Sequence, residues 1–440
     1  AKAGMGNYLS SPSTQKESSS DGAQWHTWAC SSMQGWRTTM EDAHVAVSNL
    51  KCKKKSYAEN PAFFAVFDGH GGREVAYFCR RRLIEVVRNL LTHKVPPKVA
   101  LTRAFESMDE LLQRREFQSE LGRYQQAKSS SSTAAQKRLC ASIRATLESE
   151  VEQARSQGSY NEETANTLMN KMVALQKFER KATGETNSWE SPIDNVGCTA
   201  VSILLTPDSV VCANAGDSRA VLCRNGVAVD LSRDHKPQLP GERQRIENAG
   251  AVVEEVTLGS GTHFRINGRL NLSRAIGDMK YKGRADLPHD QQAVIATPEV
   301  MSMKLTSDDE FILLACDGIW DMKTSAEACQ FVRIRLAAGR SPIEIVEELL
   351  DDCLADDPKD SQGRGCDNMT CILVQLTPGD GAEKTGSGSS GGSRGSVVSA
   401  MASKLAFCTG STKSQSSEHG PEQKLAWPSR VRSAMQRYRI

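Results

Sequence analysis

The chain has 440 residues, 39% of them apolar and 25% charged, with a formal net charge of +2. That length provides for one large domain or two ordinary ones with a sizeable core, and the near-neutral balance argues against a general nucleic-acid binder. No apolar run reaches the roughly 20 residues that cross a bilayer, and no apolar signal-peptide core stands at the N-terminus, so neither a span nor a secretory leader is expected.

Taken in chain order, the first signal is Met5-Gly6-Asn7-Tyr8-Leu9-Ser10, which matches M-G-x-x-x-[ST]. With Met5 as the native start and residues 1–4 as an addition ahead of it, Gly6 becomes a candidate for N-myristoylation. Residues 1–24 are polar and serine-rich, and their composition predicts a flexible arm. From Trp25 the texture turns to short β-like runs. Residues 62–67 form an apolar strand that stops at Asp68-Gly69-His70. A helix follows over 73–91, with Val75, Phe78, Cys79, Leu83 and Val86 spaced for one face. Pro96-Pro97 ends it and starts another helix to about 112. Residues 113–186 are polar, free of proline and rich in helix formers, and read as a helical insertion. Strands are expected again at 197–205, 210–214, 219–223 and 311–316, the last ending in Asp317-Gly318. Helices at 325–338 and 342–354 precede a final strand at 369–376. Beyond Pro378 the chain is Gly- and Ser-rich. Its last stretch, 424–440, has five basic residues and no acids, with Trp427, Val431, Met435 and Tyr438 at helical spacing, as in a basic amphipathic segment.

The 13 cysteines are scattered, odd in number and without a C-x-x-C pair. Reduced thiols in an intracellular compartment are the expected state, several of them buried as small hydrophobes.

Carboxylates at strand ends are the chemistry that stands out. Two separate apolar strands end in Asp-Gly, at Asp68 and Asp317; Asp367 precedes a third strand, and Glu41-Asp42 flank a fourth run at 43–47. Each Asp-Gly alone is an ordinary turn. If the strands share a sheet, however, several carboxylates converge at one rim, and like charges in a partly buried site are costly unless cations compensate them. An all-oxygen donor set suits hard ions such as Mg²⁺ or Mn²⁺. Zinc is disfavoured by eight histidines with neither an H-E-x-x-H nor a Cys/His cluster.

Eight short motifs then occur in order: RTTMED (37–42), FDGHGG (67–72), GCTA (197–200), AGDSR (215–219), DHKP (234–237), SRAIGD (273–278), ACDGIWD (315–321) and CDN (366–368). Together they make residues 25–376 resemble the type 2C metal-dependent protein serine/threonine phosphatases, the PPM family. The resemblance implies an α+β fold, a four-layer αββα sandwich of two antiparallel sheets flanked by helices. It implies hydrolysis of phosphoserine and phosphothreonine in proteins at two Mg²⁺ or Mn²⁺ ions, with a weaker third and without a phosphoenzyme. Carried over by residue, Asp68 bridges the ions, Asp317 and Asp367 bind the first, Glu41 the second, and the Gly69 carbonyl contributes. Asp42 matches the acid that orients the water, Arg37 the phosphate-binding arginine, and Asp217 and Asp278 the acids of the third ion. His70 is the candidate general acid.

Other readings are a non-catalytic scaffold acting through the inserted helices, and a metal-dependent phosphodiesterase. A thiol phosphatase on Cys329-x₅-Arg335 lacks the glycines of a phosphate cradle. The chain departs from the resemblance in the long insertion, in a flap (234–278) whose hairpin at 252–267 is long, and in Cys198, where many relatives have Ser. Phosphoprotein substrates, a monomeric state and a cytoplasmic location, with peripheral membrane contact through Gly6 and the basic tail, complete the expectation.

Overall fold

The computed structural model describes residues 8–52, 61–125, 193–258 and 261–377, with a few positions between 142 and 171. In chain order the elements are β1 (Tyr8–Ala23), β2 (His26–Arg37), β3 (Ala43–Val47), β4 (Ala62–Phe67), β5 (Gly69–His70), α1 (Glu74–Thr92), α2 (Pro97–Gln113) and α3 (Arg115–Tyr124). Then come β6 (Gly197–Cys198), β7 (Ala200–Leu205), β8 (Ser209–Ala215), β9 (Arg219–Arg224), β10 (Val227–Asp230), α4 (Pro240–Asn248), β11 (Val253–Leu258), β12 (Gly261–Ile266) and β13 (Ile276–Gly277). The last are β14 (Glu299–Lys304), β15 (Asp309–Ala315), α5 (Asp317–Trp320), α6 (Ser325–Ala337), α7 (Pro342–Cys353) and β16 (Met369–Leu376).

The strands form two main antiparallel sheets, ordered β1-β2-β16-β15-β9-β10 and β14-β8-β7-β4-β3. The alternation of side chains along a strand explains why β4 is apolar at every position. Phe64 and Val66 point into the core between the sheets, with Val201, Ile203, Ile312, Leu314, Ile372 and Val374. Phe63, Ala65 and Phe67 point the other way and are covered by Val75, Phe78, Cys79 and Leu83 of α1 and by Leu101, Phe105 and Met108 of α2. On the far side, α7 packs on β2 and β16. The result is the four-layer αββα sandwich. Both α6 and α7 start with a capping box, Thr324 with Glu327 and Ser341 with Glu344, which satisfies the first free amides of each helix.

Two expectations are corrected. Residues 8–23 are not a flexible arm: they form a 16-residue edge strand, in continuous register with β2 from Lys16↔Met33 to Ala23↔His26. Lys16 reaches Asp351 (2.7 Å) and Ser18 reaches Glu347 (2.6 Å), both on α7. Backbone pairing holds the strand, and its polar side chains suit an exposed sheet edge, so composition misleads here. Nor does the insertion begin at 113. The segment Arg115–Tyr124 is part of the helical layer, with Phe117 edge-on to Phe78 (5.5 Å between centroids), Tyr124 against Tyr77, and Glu120 paired with Arg82. The helices expected at 135–157 and 162–181, Gly6 and the basic tail fall wholly or mostly outside the described residues.

Candidate active site

The acids expected to converge do so at one end of the sandwich. Asp68 follows β4 of one sheet, and Asp317 follows β15 of the other. Asp367 lies just ahead of β16, Glu41 between β2 and β3, and Asp217 between β8 and β9. All five line a single cleft of about 380 Å³, together with Arg37, Gly69, His70 and Thr199. The glycines after Asp68 and Asp317 prove to be packing requirements rather than turn formers. A Cβ at Gly69 would lie 2.4 Å from the Glu41 carbonyl oxygen, and one at Gly318 would lie 2.2 Å from that of Asn368. Each glycine therefore lets the segment carrying one acid touch the backbone that carries another.

Hydrogen bonds fix the rim. Glu41 accepts from the Thr39 hydroxyl (2.8 Å) and from the Gly72 amide (3.0 Å). Asn368 accepts from the Glu41 amide (2.9 Å) and donates to the carbonyls of Gln34 (2.8 Å) and Thr39 (2.9 Å), tying the 34–41 segment to the start of β16. Arg37, at the end of β2, is ion-paired with Asp367.

The electrostatics are unbalanced. Burial and the neighbouring charges of Asp317, Asp42 and Asp367 push Asp68 well above the usual carboxylate range. Burial, with Asp217 and Asp367 beside it, does the same to Asp317. Burial raises Asp367 too, against the pull of Arg37. Asp42, buried and hydrogen-bonded at Oδ2 by the Thr370 hydroxyl (2.7 Å), is pushed up to about 7, first by burial. Its Oδ1 is enclosed and accepts no hydrogen bond. A cluster of oxygen donors short of positive charge, beside an orphaned carboxylate oxygen, fits hard divalent cations. Asp42, Asp68 and Cys316 bring ligand-type atoms within 4.8 Å of one another. Cys316 is a poor ligand: burial raises its thiol well above the ordinary value, and its sulfur accepts from the Thr370 amide (3.1 Å).

Two sequence-predicted acids have partners of their own. Asp278, in a left-handed conformation (φ 52°), lies 2.6 Å from His70 Nε2. Burial alone would lower the imidazole's affinity for its proton, but Asp278 outweighs it and His70 is raised above its usual value. Asp217 is paired with Lys236 (2.5 Å), whose ammonium Asp217 stabilises despite burial. From α2, Asp109 accepts from the Gly277 amide (2.8 Å) and from Lys282 (2.5 Å), which pins the backbone just ahead of Asp278.

Lys236, Asn368, Thr370 and Asp109, and the flap arginines Arg265 and Arg269 that also line the cleft, were not read as site residues from the sequence. Lys236 and Asn368 lie inside the DHKP and CDN motifs, so a signal was present. Asp109 sits on an ordinary amphipathic helix and had none.

This geometry agrees with the comparisons. The family model described as "Protein phosphatase 2C" matches residues 28–136 and 121–362. The chain belongs to the protein phosphatase 2C family. It is 37% identical to "Probable protein phosphatase 2C 21" of Arabidopsis thaliana, over 84% of this chain and 93% of that protein. It is also 37% identical to "Protein phosphatase 2C homolog 2" of Schizosaccharomyces pombe, over 86% and 80%. Among solved structures, a phosphatase from a pathogenic strain of Toxoplasma gondii superposes with a TM-score of 0.55 at 20% identity, covering 83% of this chain and 96% of that one, which supports the fold. The protein is thus an enzyme, a protein serine/threonine phosphatase of a metal-dependent family.

Proposed function

We propose that this phosphatase hydrolyses phosphoserine and phosphothreonine esters at a centre of two Mg²⁺ or Mn²⁺ ions, without a phosphoenzyme. The observation that carries the proposal is the convergence of Glu41, Asp68, Asp217, Asp317 and Asp367 with Arg37 and His70 on one cleft. Asp68, the Gly69 carbonyl and Glu41 would hold one ion, and Asp68, Asp317 and Asp367 the other. Divalent cations in such a site supply an acidified water and neutralise phosphoryl charge. A weaker third ion at Asp217 and Asp278 would have to displace Lys236 and His70.

The chain's own residues do the rest. Arg37 offers a planar fork for two phosphoryl oxygens, which requires it to exchange Asp367 for substrate. Asp42 Oδ1, which has no donor of its own, would accept a hydrogen bond from the attacking water. His70, with Nε2 held by Asp278, keeps its proton and can pass one from Nδ1 to the leaving serine or threonine oxygen. Turnover of p-nitrophenyl phosphate and of a phosphothreonine peptide with Mn²⁺, abolished by chelator and restored by added metal, is the expected result. Turnover indifferent to chelation would overturn the reading. Replacing His70 with Asn should slow alkyl phosphates far more than aryl ones; equal slowing would remove it from the acid role.

For location, the Met5–Ser10 signal and the basic segment 424–440 support a cytoplasmic enzyme held peripherally at a membrane, since one myristoyl chain anchors only marginally and a basic patch supplies the second signal. Protein beginning at Met5 and myristoylated at Gly6 should sediment with anionic vesicles, and less so after removal of 424–440. Absence from vesicles in both forms would refute it.

A further inference from the structure

The flap contributes two cationic side chains to the cleft that the proposed chemistry does not use. Strands β11 and β12 form a hairpin, and the chain then turns sharply at Asn267-Gly268, both with positive φ (50° and 67°), the pattern of an Asn-Gly hairpin turn. The Ile266 amide donates to the Leu270 carbonyl (2.7 Å) and the Arg269 amide to the Ile266 carbonyl (3.1 Å), so Arg265 and Arg269 flank this turn. The small cluster of Ile246, Val253, Ile266, Leu272 and Val294 anchors the turn to α4 and the rest of the flap.

Both arginines line the same 380 Å³ cleft as the acids. Neither forms an ion pair with any carboxylate among the described residues, although Arg37, Arg219, Arg224, Arg274 and Lys236 all do. Glu254, the cross-strand partner of Arg265, is not within ion-pair distance. Arg265 donates from one terminal nitrogen to the Arg269 carbonyl (2.5 Å), which ties the pair together, while its Nε is enclosed without an acceptor. Arg269 is exposed. A buried guanidinium donor without a partner is costly, and two unpaired arginines on the wall of a substrate cleft are a ready site for carboxylate or phosphate oxygens. They come from the flap, whereas Glu41, Asp68, Asp217, Asp317 and Asp367 come from the sandwich, so the cleft carries cationic groups on one side and acids on the other.

We propose that Arg265 and Arg269 form a second anion subsite, which selects phosphoproteins with another anionic side chain, a carboxylate or a second phosphate, close in sequence to the phosphorylated residue. The proposal rests on the proposed phosphoprotein hydrolysis. The cleft is near the lower end of the 300–1,000 Å³ typical of ligand pockets, enough for the phosphorylated side chain and an immediate neighbour but not for a folded surface.

The test uses the full chain with Mn²⁺ and three phosphothreonine peptides: one flanked by alanines, one by glutamates, and one with a second phosphoserine nearby. The readout is the ratio of kcat/KM for each anionic peptide to that for the alanine peptide. A ratio within one preparation cancels any loss of folded enzyme. The native enzyme should favour at least one anionic peptide by about tenfold, as charged hydrogen bonds of this kind provide. The preference should shrink with added salt. In the R265Q/R269Q variant the ratio should fall to within about twofold of one. Preference for the glutamate peptide would identify carboxylates as the ligand, and preference for the doubly phosphorylated one a second phosphate. A native ratio at or below one, or a ratio that survives in the variant, would overturn the subsite. Failure to turn over any of the three peptides would instead overturn the hydrolysis on which it rests.

Discussion

The link between α2 and β13 can be tested through Asp109. Its carboxylate accepts from the Gly277 amide (2.8 Å) and from Lys282 (2.5 Å), and the Lys282 side chain is only 8% exposed and also donates to the Ala275 carbonyl (2.7 Å). Burial raises Asp109 above the usual carboxylate range even with Lys282 beside it, which means that desolvation outweighs the attraction of the pair. Two consequences follow. Asp109→Ala strands a buried ammonium and a backbone donor, and removing one partner of a buried pair costs about 3–5 kcal/mol. Spread over the unfolding entropy of a domain of roughly 300 residues, that lowers Tm by about 5–8 °C. The double variant D109N/K282M keeps an oxygen for the Gly277 amide and removes both charges, so its stability should return to within about 1 kcal/mol of the native protein. Thermal and urea unfolding followed by circular dichroism read both numbers. A fall of less than about 1 kcal/mol in D109A, or a double variant as unstable as the single one, would refute the argument that Asp109 is held by a hydrogen bond the fold needs and a charge it does not.

Three further outcomes are expected. Gly318→Ala would place a Cβ 2.2 Å from the Asn368 carbonyl oxygen and force apart the segments bearing Asp317 and Asp367; Mn²⁺ titration of activity should show metal dependence displaced to higher concentration by tenfold or more, on the order of the effects seen when a ligand's supporting contacts are lost. Asn368→Ala removes the three hydrogen bonds that hold the 34–41 loop, so kcat should fall by about 10²-fold through misplacement of Arg37 and Glu41 while the fold is retained by circular dichroism; an unchanged kcat would count against the clamp. On pH, His26 and His235 are both lowered to about 4, chiefly by burial, so they stay neutral in the fold while the unfolded chain takes up protons below about 6.5. The contribution of these two histidines should therefore be full above pH 6.5 and be lost between 6.5 and 4, by on the order of 3 kcal/mol each. His44, also lowered to about 4 by burial, acts in the same sense, and Asp42, raised to about 7, in the opposite one. Glu242, lowered to about 2 despite burial by Arg274 and Arg245, adds a contribution that is present above about 4.5 and lost as pH falls towards 2. His26→Phe, at a buried position where neither ring nitrogen is hydrogen-bonded, should flatten the urea-midpoint profile between pH 6.5 and 4; an unaltered slope would contradict the assignment.

What could be read from the residues alone was whatever rests on side-chain pattern. Strands 62–67 and 369–376 match the observed elements because their positions are buried on one or both faces and must be apolar. Helix boundaries at Pro97 and Pro342 follow from proline at the first turn. The edge strand Tyr8–Ala23 escaped because backbone pairing places no demand on serine side chains, and nothing local distinguishes such a strand from a disordered arm. The acid cluster was legible as a set of strand ends but not as a charge imbalance, which depends on how deeply Asp68 and Asp317 are buried. Arg265 and Arg269 were hidden differently: they lie nearly 200 residues from Asp68, on a turn whose Asn-Gly signal was visible but whose direction was not.

The position of the cleft explains how the fold tolerates so many crowded carboxylates. Asp68 terminates a strand of one sheet and Asp317 a strand of the other, so their separation is set by the packing of Phe64 and Val66 against Ile312 and Leu314 rather than by any contact between the acids themselves. Close-packed cores resist change in volume, and this one holds together acids that would otherwise spread apart, at the cost of raising their affinity for protons. The cost is confined to one end of the sandwich, where solvent or cations can relieve it, and the flap closes that end with arginines instead of further acids. Stability and chemistry are thereby separated: the core fixes where the oxygens stand, and the charge they lack is left for what binds there.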